Sequence, residues 1–179
     1  PSVAFQTMRA LGLTRFFPEL ETMFGCEQEY EWHPEGDVWV HTLLVLDAAA
    51  SLRTGDPDED LILMLAALCH DLGKPLATND DDGKIRSPNH EPLGEAPTRS
   101  FLARLTREKD LIEDVGALGV HHLRPHSLHY AMAAVARHDG EETGPGIGVH
   151  PVFVIRAPEI IRIGRIGGSP RFCVGRDEG

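Results

Sequence analysis

A long apolar run that ends in ionisable residues constrains this chain more than any other feature. The run lies around the segment LMLAALCHDLGKPL, residues 63–76. Every residue from Leu61 to Cys69 is apolar, and His70 and Asp71 follow directly. A helix that is apolar on every face is buried among other helices. The sequence therefore predicts a central helix over about residues 58–71, with an imidazole and a carboxylate at its buried end.

The segments before this run also predict helices. Residues 3–24 predict two short helices, the second capped by Thr14, and Asp37 is expected to cap a helix that continues to Arg53. The apolar residues of the latter recur at helical spacing and form a stripe that we expect to be buried. The stripe consists of Val38, His41, Val45, Ala48 and Leu52.

The segments after the apolar run predict more helices and one small hairpin. Turn residues around Asp82-Gly83 indicate the hairpin, and amphipathic helices are expected over residues 93–107, 110–122 and 127–137. No leucine follows Leu128, and half of the 18 glycines lie from Gly140 onward. The sequence thus predicts an all-α fold with a helical domain over 1–139. Residues 140–179 are expected to be an irregular glycine-rich tail or an extension that completes the bundle.

Composition excludes several classes of protein. The net charge of −11 argues against non-specific nucleic-acid binding, which depends on clustered lysine and arginine, although a small basic patch stays open. No stretch of 18 apolar residues could span a bilayer, and no signal peptide is visible, so we expect a cytoplasmic protein without membrane contact. Three cysteines without a CxxC motif indicate neither a disulfide framework nor a zinc knuckle, and Cys69 is expected to be a buried thiol.

The histidines fall where a metal site would need them. A buried carboxylate is costly unless it is paired or binds a cation, so a buried Asp71 calls for positive charge. The His70-Asp71 pair taken alone favours a helix cap at the surface over a metal site. Three further segments favour the metal site, because they also place histidines at helix ends or on a buried face: His41, His90, and the pair His121 and His122.

The motifs that contain these residues resemble a known family. The order H…HD…H…H with an intact HDLGKP resembles the HD-domain metal-dependent phosphohydrolases. FQTMRALG, EWHPEGDVWVHTLLVLD, LAALCHDLGKP and GKIRSPNHEPLG are similar, more narrowly, to the HD-containing body of bacterial CCA-adding tRNA nucleotidyltransferases. The resemblance covers about Val3 to Leu128 and implies a helical bundle. In those enzymes a nucleotidyltransferase head precedes this body, and we expect this sequence to lack it.

The resemblance also implies a ligand set. His41, His70 and Asp71 correspond to the first metal ligands, while His90 and His122 correspond to the ligands of a second metal ion that Asp71 bridges. His122 is preferred to its neighbour because HLRP fits the family pattern. Mixed nitrogen and oxygen ligands suit one or two divalent ions of Mn, Fe, Co, Ni or Zn better than Mg.

The remaining site residues are implied in the same way. Lys74 matches the lysine that faces the substrate phosphate, and Arg124 is a second candidate for that task. Asp71 and Lys74 are the expected catalytic residues. The family ends its ligand set with a late aspartate that this chain lacks, and the nearest carboxylate is Glu159 in VIRAPEIIRIGR.

The resemblance implies a hydrolase that uses a metal-activated water. Its expected activity is that of a phosphomonoesterase or phosphodiesterase on a nucleotide, a cyclic nucleotide or an RNA-end phosphate. Two alternatives stay open, an RNA- or tRNA-binding helical module with a vestigial metal site and a truncated remnant. Within WHPEGD, Glu35 and Asp37 are expected to open a helix and His33 to fix the connector, with a supporting or substrate-contacting role as the alternative.

Overall fold

A computed structural model describes residues 1–123 of the chain, and most of them are helical. The fold class expected from the sequence, an all-α helical bundle, is confirmed, while the helix expected over 127–137 and the tail over 140–179 lie outside the described residues. One short 3-10 helix, Leu13–Phe16, accompanies the regular elements. These elements are α1 Ser2–Ala10, α2 Pro18–Glu21, α3 Val38–Ala50, α4 Pro57–Cys69, α5 Lys74–Ala77, β1 Asn79–Asp81, β2 Lys84–Arg86, α6 His90–Leu93, α7 Glu95–Leu105 and α8 Lys109–His121.

The two helices that bring the HD motif to the middle of the domain are fixed by aspartate caps. Asp37 Oδ1 accepts a hydrogen bond from Val40 N at 2.9 Å, which confirms it as the cap of α3. Asp56 Oδ1 accepts from the backbone nitrogens of Asp58 and Glu59 at the start of α4. Both helices end earlier than expected, α3 at Ala50 and α4 at Cys69.

The N-terminal segment corrects one prediction. Thr14 does not cap a second helix, because it lies inside the 3-10 helix and its hydroxyl donates to Glu21 Oε1 at 2.6 Å. Pro18 explains the interruption, since a residue before proline avoids the helical region, and Phe17 has φ −129° and ψ 77°. The segment therefore forms three short pieces rather than two helices.

The buried stripe expected on α3 is confirmed only in part. Val38 is fully buried and Val45 and Leu52 pack against the core, but most fully buried positions of α3 are others, and His41 stays 15% exposed at its side chain. Nearly every residue of α3 is apolar, so helical spacing within it could not identify the buried face. The buried side chains of α3 are those of Val38, Trp39, Thr42, Leu43, Leu46 and Ala49.

Helix α4 occupies the centre of the bundle between α3 and α8, and α7 packs on the other side of α8. It is not enclosed on every side, because Leu61 is 46% exposed, which corrects the expectation of complete burial. Cys69 is 1% exposed, as expected, and its burial raises the pKa of the thiol far above the ordinary range. The core around α4 is formed mainly by Leu20, Met23, Trp39, Leu46, Leu63, Leu68, Leu72, Leu102 and Val115.

The segment between α5 and α7 contains the predicted hairpin, and its short helix α6 lies very close to the backbone of Gly73. Strands β1 and β2 pair antiparallel, and Asp82 and Gly83 at the turn have φ values of 58° and 72°. A Cβ atom on Gly73 would lie only 1.9 Å from His90 O, so only glycine fits between α4 and α6. The helix expected over residues 93–107 is present with shorter bounds as α7, and the short helix α6 precedes it.

No helix within residues 1–123 has the length and apolar character needed to cross a membrane.

Candidate metal centre

The HD motif places Asp71 at the centre of a polar cluster inside the bundle. Asp71 directly follows the C-terminal cap residue of α4 and is only 1% exposed. A carboxylate at this position is doubly unfavourable, because it is removed from water and lies at the negative end of a helix dipole. Positive or polar partners must therefore surround it.

Four imidazoles and one ammonium supply those partners. His70 Nε2 and His41 Nε2 lie 3.1 and 3.7 Å from Asp71 Oδ2. His90 Nε2 and His122 Nε2 lie 3.4 and 3.7 Å from Asp71 Oδ1. Despite these short distances, neither carboxylate oxygen accepts a hydrogen bond of good geometry within residues 1–123. The arrangement thus presents two pairs of nitrogens, one pair to each oxygen.

The histidines owe their orientation to the opposite ring nitrogen. The Nδ1 atoms of His70, His90 and His122 lie 2.9, 2.8 and 2.6 Å from backbone carbonyl oxygens. A carbonyl only accepts, so each Nδ1 carries the hydrogen and each neutral ring keeps its Nε2 lone pair for the cluster. The acceptors for His70 and His122 are the carbonyls of Ala67 and Gly119, which belong to the last turns of α4 and α8. Carbonyls in a last turn lack an intrahelical donor, so a histidine at the helix end can donate to them.

His41 is oriented by a carboxylate instead. Its Nδ1 lies 2.6 Å from Glu35 Oε1, and His33 Nδ1 lies 2.9 Å from the same oxygen. Burial acts to raise the pKa of Glu35, but the hydrogen bond from His33 and that from His41 outweigh it, and the pKa is lowered. Glu35 therefore holds the ring of His41 with its Nε2 toward Asp71. The interpretation of Glu35 as a helix opener is wrong, because Asp37 alone caps α3.

Lys74 is the cationic member of the cluster. Its Nζ lies 2.9 Å from Asp71 Oδ2 and donates a hydrogen bond of 2.6 Å to Gln28 Oε1. Gln28 also donates from Nε2 to the carbonyl of Gly36, so it ties the ammonium to the connector before α3. Nothing in the sequence pattern singled out Gln28, because its partners lie 46 and 8 residues away.

The charges of the cluster follow from this geometry. Burial acts to raise the pKa of Asp71, but the charges of His70 and Lys74 dominate and hold it well below the usual range. Burial, followed by repulsion from His70, lowers the pKa of His41 and that of His122 to about 4. In His90 the effect of burial is outweighed by Asp71, and the pKa is raised. The cluster thus contains an ionised carboxylate beside two imidazoles that stay neutral at pH 7.

These side chains have the donor set of a metal site. Donor atoms of His41, His70 and Asp71 lie within 4.8 Å of one another, and those of Asp71, His90 and His122 do so as well. Neutral imidazole nitrogens and a carboxylate without good hydrogen bonds are the ligands that divalent transition metals prefer. The residues present therefore fit one or two such ions, and Asp71 belongs to both groups.

The structure brings together all described residues that the sequence singled out as candidate ligands, and Lys74 with them. Their roles as ligands and catalysts remain a prediction. Arg124 and Glu159 lie outside the described residues. Glu35 and Gln28, which orient His41 and Lys74, were not recognised as partners of the site.

The fold and the cluster define a helical metal-site domain of the HD type. A family model described as "HD domain" matches residues 38–145. The chain belongs to the HD-domain family, in which the expected activity is metal-dependent hydrolysis of phosphate esters. This confirms the resemblance inferred from the motifs.

Three curated relatives of this chain share one name. The chain is 42% identical over 106 residues to "Multifunctional CCA protein" of Laribacter hongkongensis, which is 59% of this chain and 24% of that protein. It is 35% identical over 129 residues to the protein of the same name from Actinobacillus pleuropneumoniae serotype 5b, with 72% and 31% covered. For Methylococcus capsulatus the identity is 53% over 95 residues, with 52% and 21% covered.

The chain spans less than a third of the length of these curated relatives. No solved structure matches it.

Proposed function

We propose that this chain is a metal-dependent phosphohydrolase that acts on the phosphate of a nucleotide, a cyclic nucleotide or an RNA end. The single observation that carries the proposal is the position of Asp71, whose two buried oxygens each face a pair of histidine nitrogens. A domain that only binds RNA has no need for such a cluster. The proposal makes His41, His70 and Asp71 the ligands of one divalent ion, and Asp71, His90 and His122 those of another.

Each residue of the cluster has a distinct task in this proposal. A divalent transition-metal ion held there would supply Lewis acidity and a nucleophilic water at neutral pH. Asp71, whose pKa is held low, stays ionised and keeps the negative charge that the site needs, which makes it a weak proton acceptor. His41 and His122, whose pKa values are lowered, present neutral nitrogens, His70 and His90 complete the two pairs, and Glu35 fixes the orientation of His41.

Lys74 is proposed to bind the substrate phosphate. Lys74 is 8% exposed and its ammonium is held by Gln28 beside Asp71, so its position is fixed before the substrate arrives. A fixed cation next to the reacting group stabilises charge that develops on the phosphoryl oxygens. Arg124 remains a second candidate for this contact, and Glu159 remains a candidate for a further oxygen ligand.

The test combines metal content with turnover. The purified chain is expected to contain Mn, Fe, Co, Ni or Zn and to hydrolyse bis-p-nitrophenyl phosphate and 2′,3′-cyclic AMP. Asp71→Asn is expected to lose the metal and more than about 100-fold in kcat/KM, because it removes the shared ligand. Asp81→Asn, an exposed position in β1, is the matched control and should keep both. Full activity of Asp71→Asn would overturn the proposal.

The second candidate is an RNA- or tRNA-binding module with a vestigial metal site. It is supported by the similarity to proteins named "Multifunctional CCA protein" and by the resemblance to CCA-adding tRNA nucleotidyltransferases. The net charge of −11 disfavours it. Tight binding of tRNA by a metal-free and inactive chain would favour this candidate.

A further inference from the structure

An open cleft lies beside the metal cluster, between the connector that precedes α3 and the β-hairpin. Its volume is about 460 Å³, which is within the range of small-molecule sites. Trp32, Glu29 and the exposed Glu31 contribute to one wall, and Lys84, Ile85 and Arg86 of β2 contribute to the other. The proposed phosphate chemistry assigns no role to any of these side chains.

Trp32 is unusual because its large ring remains exposed. The chain has two tryptophans, and they differ sharply, since Trp39 is 1% exposed in the core and Trp32 is 58% exposed. An exposed tryptophan contributes little hydrophobic stabilisation to the fold, but the face of its ring can stack on a nucleobase. Such stacking contributes about 1–3 kcal/mol per base.

The opposite wall carries two cations without acidic partners. Lys84 and Arg86 alternate along β2 and are both exposed, whereas Ile85 between them is partly buried. Neither cation forms an ion pair within residues 1–123, and Arg86 makes only a 3.4 Å contact with the carbonyl of Asp81. The carboxylate of Glu29 is already engaged, because its Oε2 accepts from Ile85 N at 3.0 Å.

Each wall of the cleft is connected to a residue that contacts a histidine of the metal cluster. Trp32 directly precedes His33, whose ring centroid lies 4.7 Å from that of His41. Ser87, which also lines the cleft, accepts a hydrogen bond of 2.8 Å from His90 Nδ1 through its backbone carbonyl. A molecule in the cleft is therefore next to residues that contact one histidine of each pair, His41 and His90.

We propose that this cleft binds the base of the nucleotide whose phosphate is hydrolysed. The inference rests on the proposed phosphohydrolase function and adds to it a separate subsite for the base of the substrate. Trp32 stacks on the base, and Lys84 and Arg86 provide positive charge for its acceptor atoms or for an adjoining phosphate. Glu29 connects the two walls, because its carboxylate accepts a hydrogen bond from the backbone of Ile85 in β2.

Fluorescence tests binding without requiring hydrolysis. Adenosine monophosphate is expected to quench the tryptophan emission of the full chain, while ribose 5-phosphate, which has no base, is not. Trp32→Phe leaves only the buried Trp39 and should abolish the response. The same quenching in Asp71→Asn, even if weaker, would support the inference when hydrolysis fails. A chain whose emission is unchanged by adenosine monophosphate would overturn the inference, whatever its hydrolytic activity.

Kinetics test whether the base matters for turnover. Trp32→Ala is expected to lower kcat/KM for 2′,3′-cyclic AMP about 10- to 100-fold. The same variant should leave kcat/KM for 1-O-methylribose 2,3-cyclic phosphate, the analogue without a base, within about twofold. Tyr30→Ala is the matched control, because Tyr30 is 76% exposed in the same connector and does not line the cleft.

The two substrates separate the two proposals. An equal loss on both would assign Trp32 a structural role and overturn the base site, while the phosphohydrolase proposal would stand. Turnover of neither substrate by the unchanged chain would overturn the phosphohydrolase proposal. The base site would then be decided by the fluorescence titration alone.

Discussion

His90 Nε2 and His122 Nε2 lie 3.3 Å apart, although the other ring nitrogen of each faces a backbone carbonyl. If both rings are neutral, two lone pairs point at each other, which is unfavourable unless a cation lies between them or beside them. A proton can fill that role, in agreement with the raised pKa of His90. A divalent metal ion fills it better, because Asp71 Oδ1 is within 3.7 Å of both nitrogens.

The two histidine pairs are expected to hold separate ions. His122→Ala should remove the second site and leave the first, so that bound metal falls from two equivalents to one. His41→Ala should remove the first site and leave the second, because His41 faces the other carboxylate oxygen of Asp71. Metal analysis of the two variants after dialysis checks this prediction. Loss of both ions in His122→Ala would indicate a single shared site.

Glu35 is expected to set metal affinity without binding metal itself. Glu35→Gln keeps the shape of the side chain but weakens the acceptor that His41 and His33 share. Loss of a carboxylate that orients a ligating histidine typically lowers metal affinity about 10- to 100-fold. Competition with a chelator measures the change, and Glu27→Gln, exposed in the same connector, serves as the control. An unchanged affinity would contradict the positioning role.

Gly73 within HDLGKP is expected to be indispensable for folding. Gly73→Ala would force a methyl group against the carbonyl of His90 and the backbone of Gly94, neither of which can move freely. The free energy of unfolding should fall by about 3 kcal/mol or more. Gly116→Ala in α8 is the contrasting variant, because among residues 1–123 no atom outside the nearby backbone of α8 lies within 4 Å of its added Cβ. Its free energy of unfolding should rise by about 0.5–1 kcal/mol. Urea denaturation of both variants checks the two signs.

Glu19 is expected to make stability depend on pH. Burial acts to raise its pKa, but the Ser100 hydroxyl, which donates to Oε1 at 2.5 Å, and the nearby Arg104 lower it overall. The lowered pKa means that Glu19 stabilises the fold above its unfolded pKa of about 4.3, and that this contribution is lost as pH falls through the folded pKa.

Glu19→Gln should therefore cost about 1–2 kcal/mol at pH 7, because it weakens a charge-assisted hydrogen bond. Arg104 adds little to this cost, since its side chain is 46% exposed and the ion pair is screened by water. The difference in unfolding free energy between the two proteins should shrink as the pH falls below 4. A difference that stays constant across this range would contradict the ionised state of Glu19.

Local signals predicted the helices and their starts more reliably than their packing. Asp37 was recognised as a cap because one short side chain and the next three residues suffice to define it. Thr14 was assigned wrongly because Pro18 interrupts the helix that it was expected to begin. The buried face of α3 was predicted only in part, since a helix that is apolar nearly all round has little periodicity to identify its most buried positions.

The sequence by itself determined the helical class, the ionisable end of α4 and the residue types that gather there, because spacing, caps and apolar runs are local properties. Only the tertiary structure decided which partner each of these residues meets. Gln28 reaches Lys74 and Ser87 supports His90 through contacts made by the folding of connectors, which leave no periodic trace. The position of Asp71 between the two histidine pairs likewise depends on the ends of α4, α6 and α8 meeting near the first turn of α3, and packing of the whole bundle brings them together.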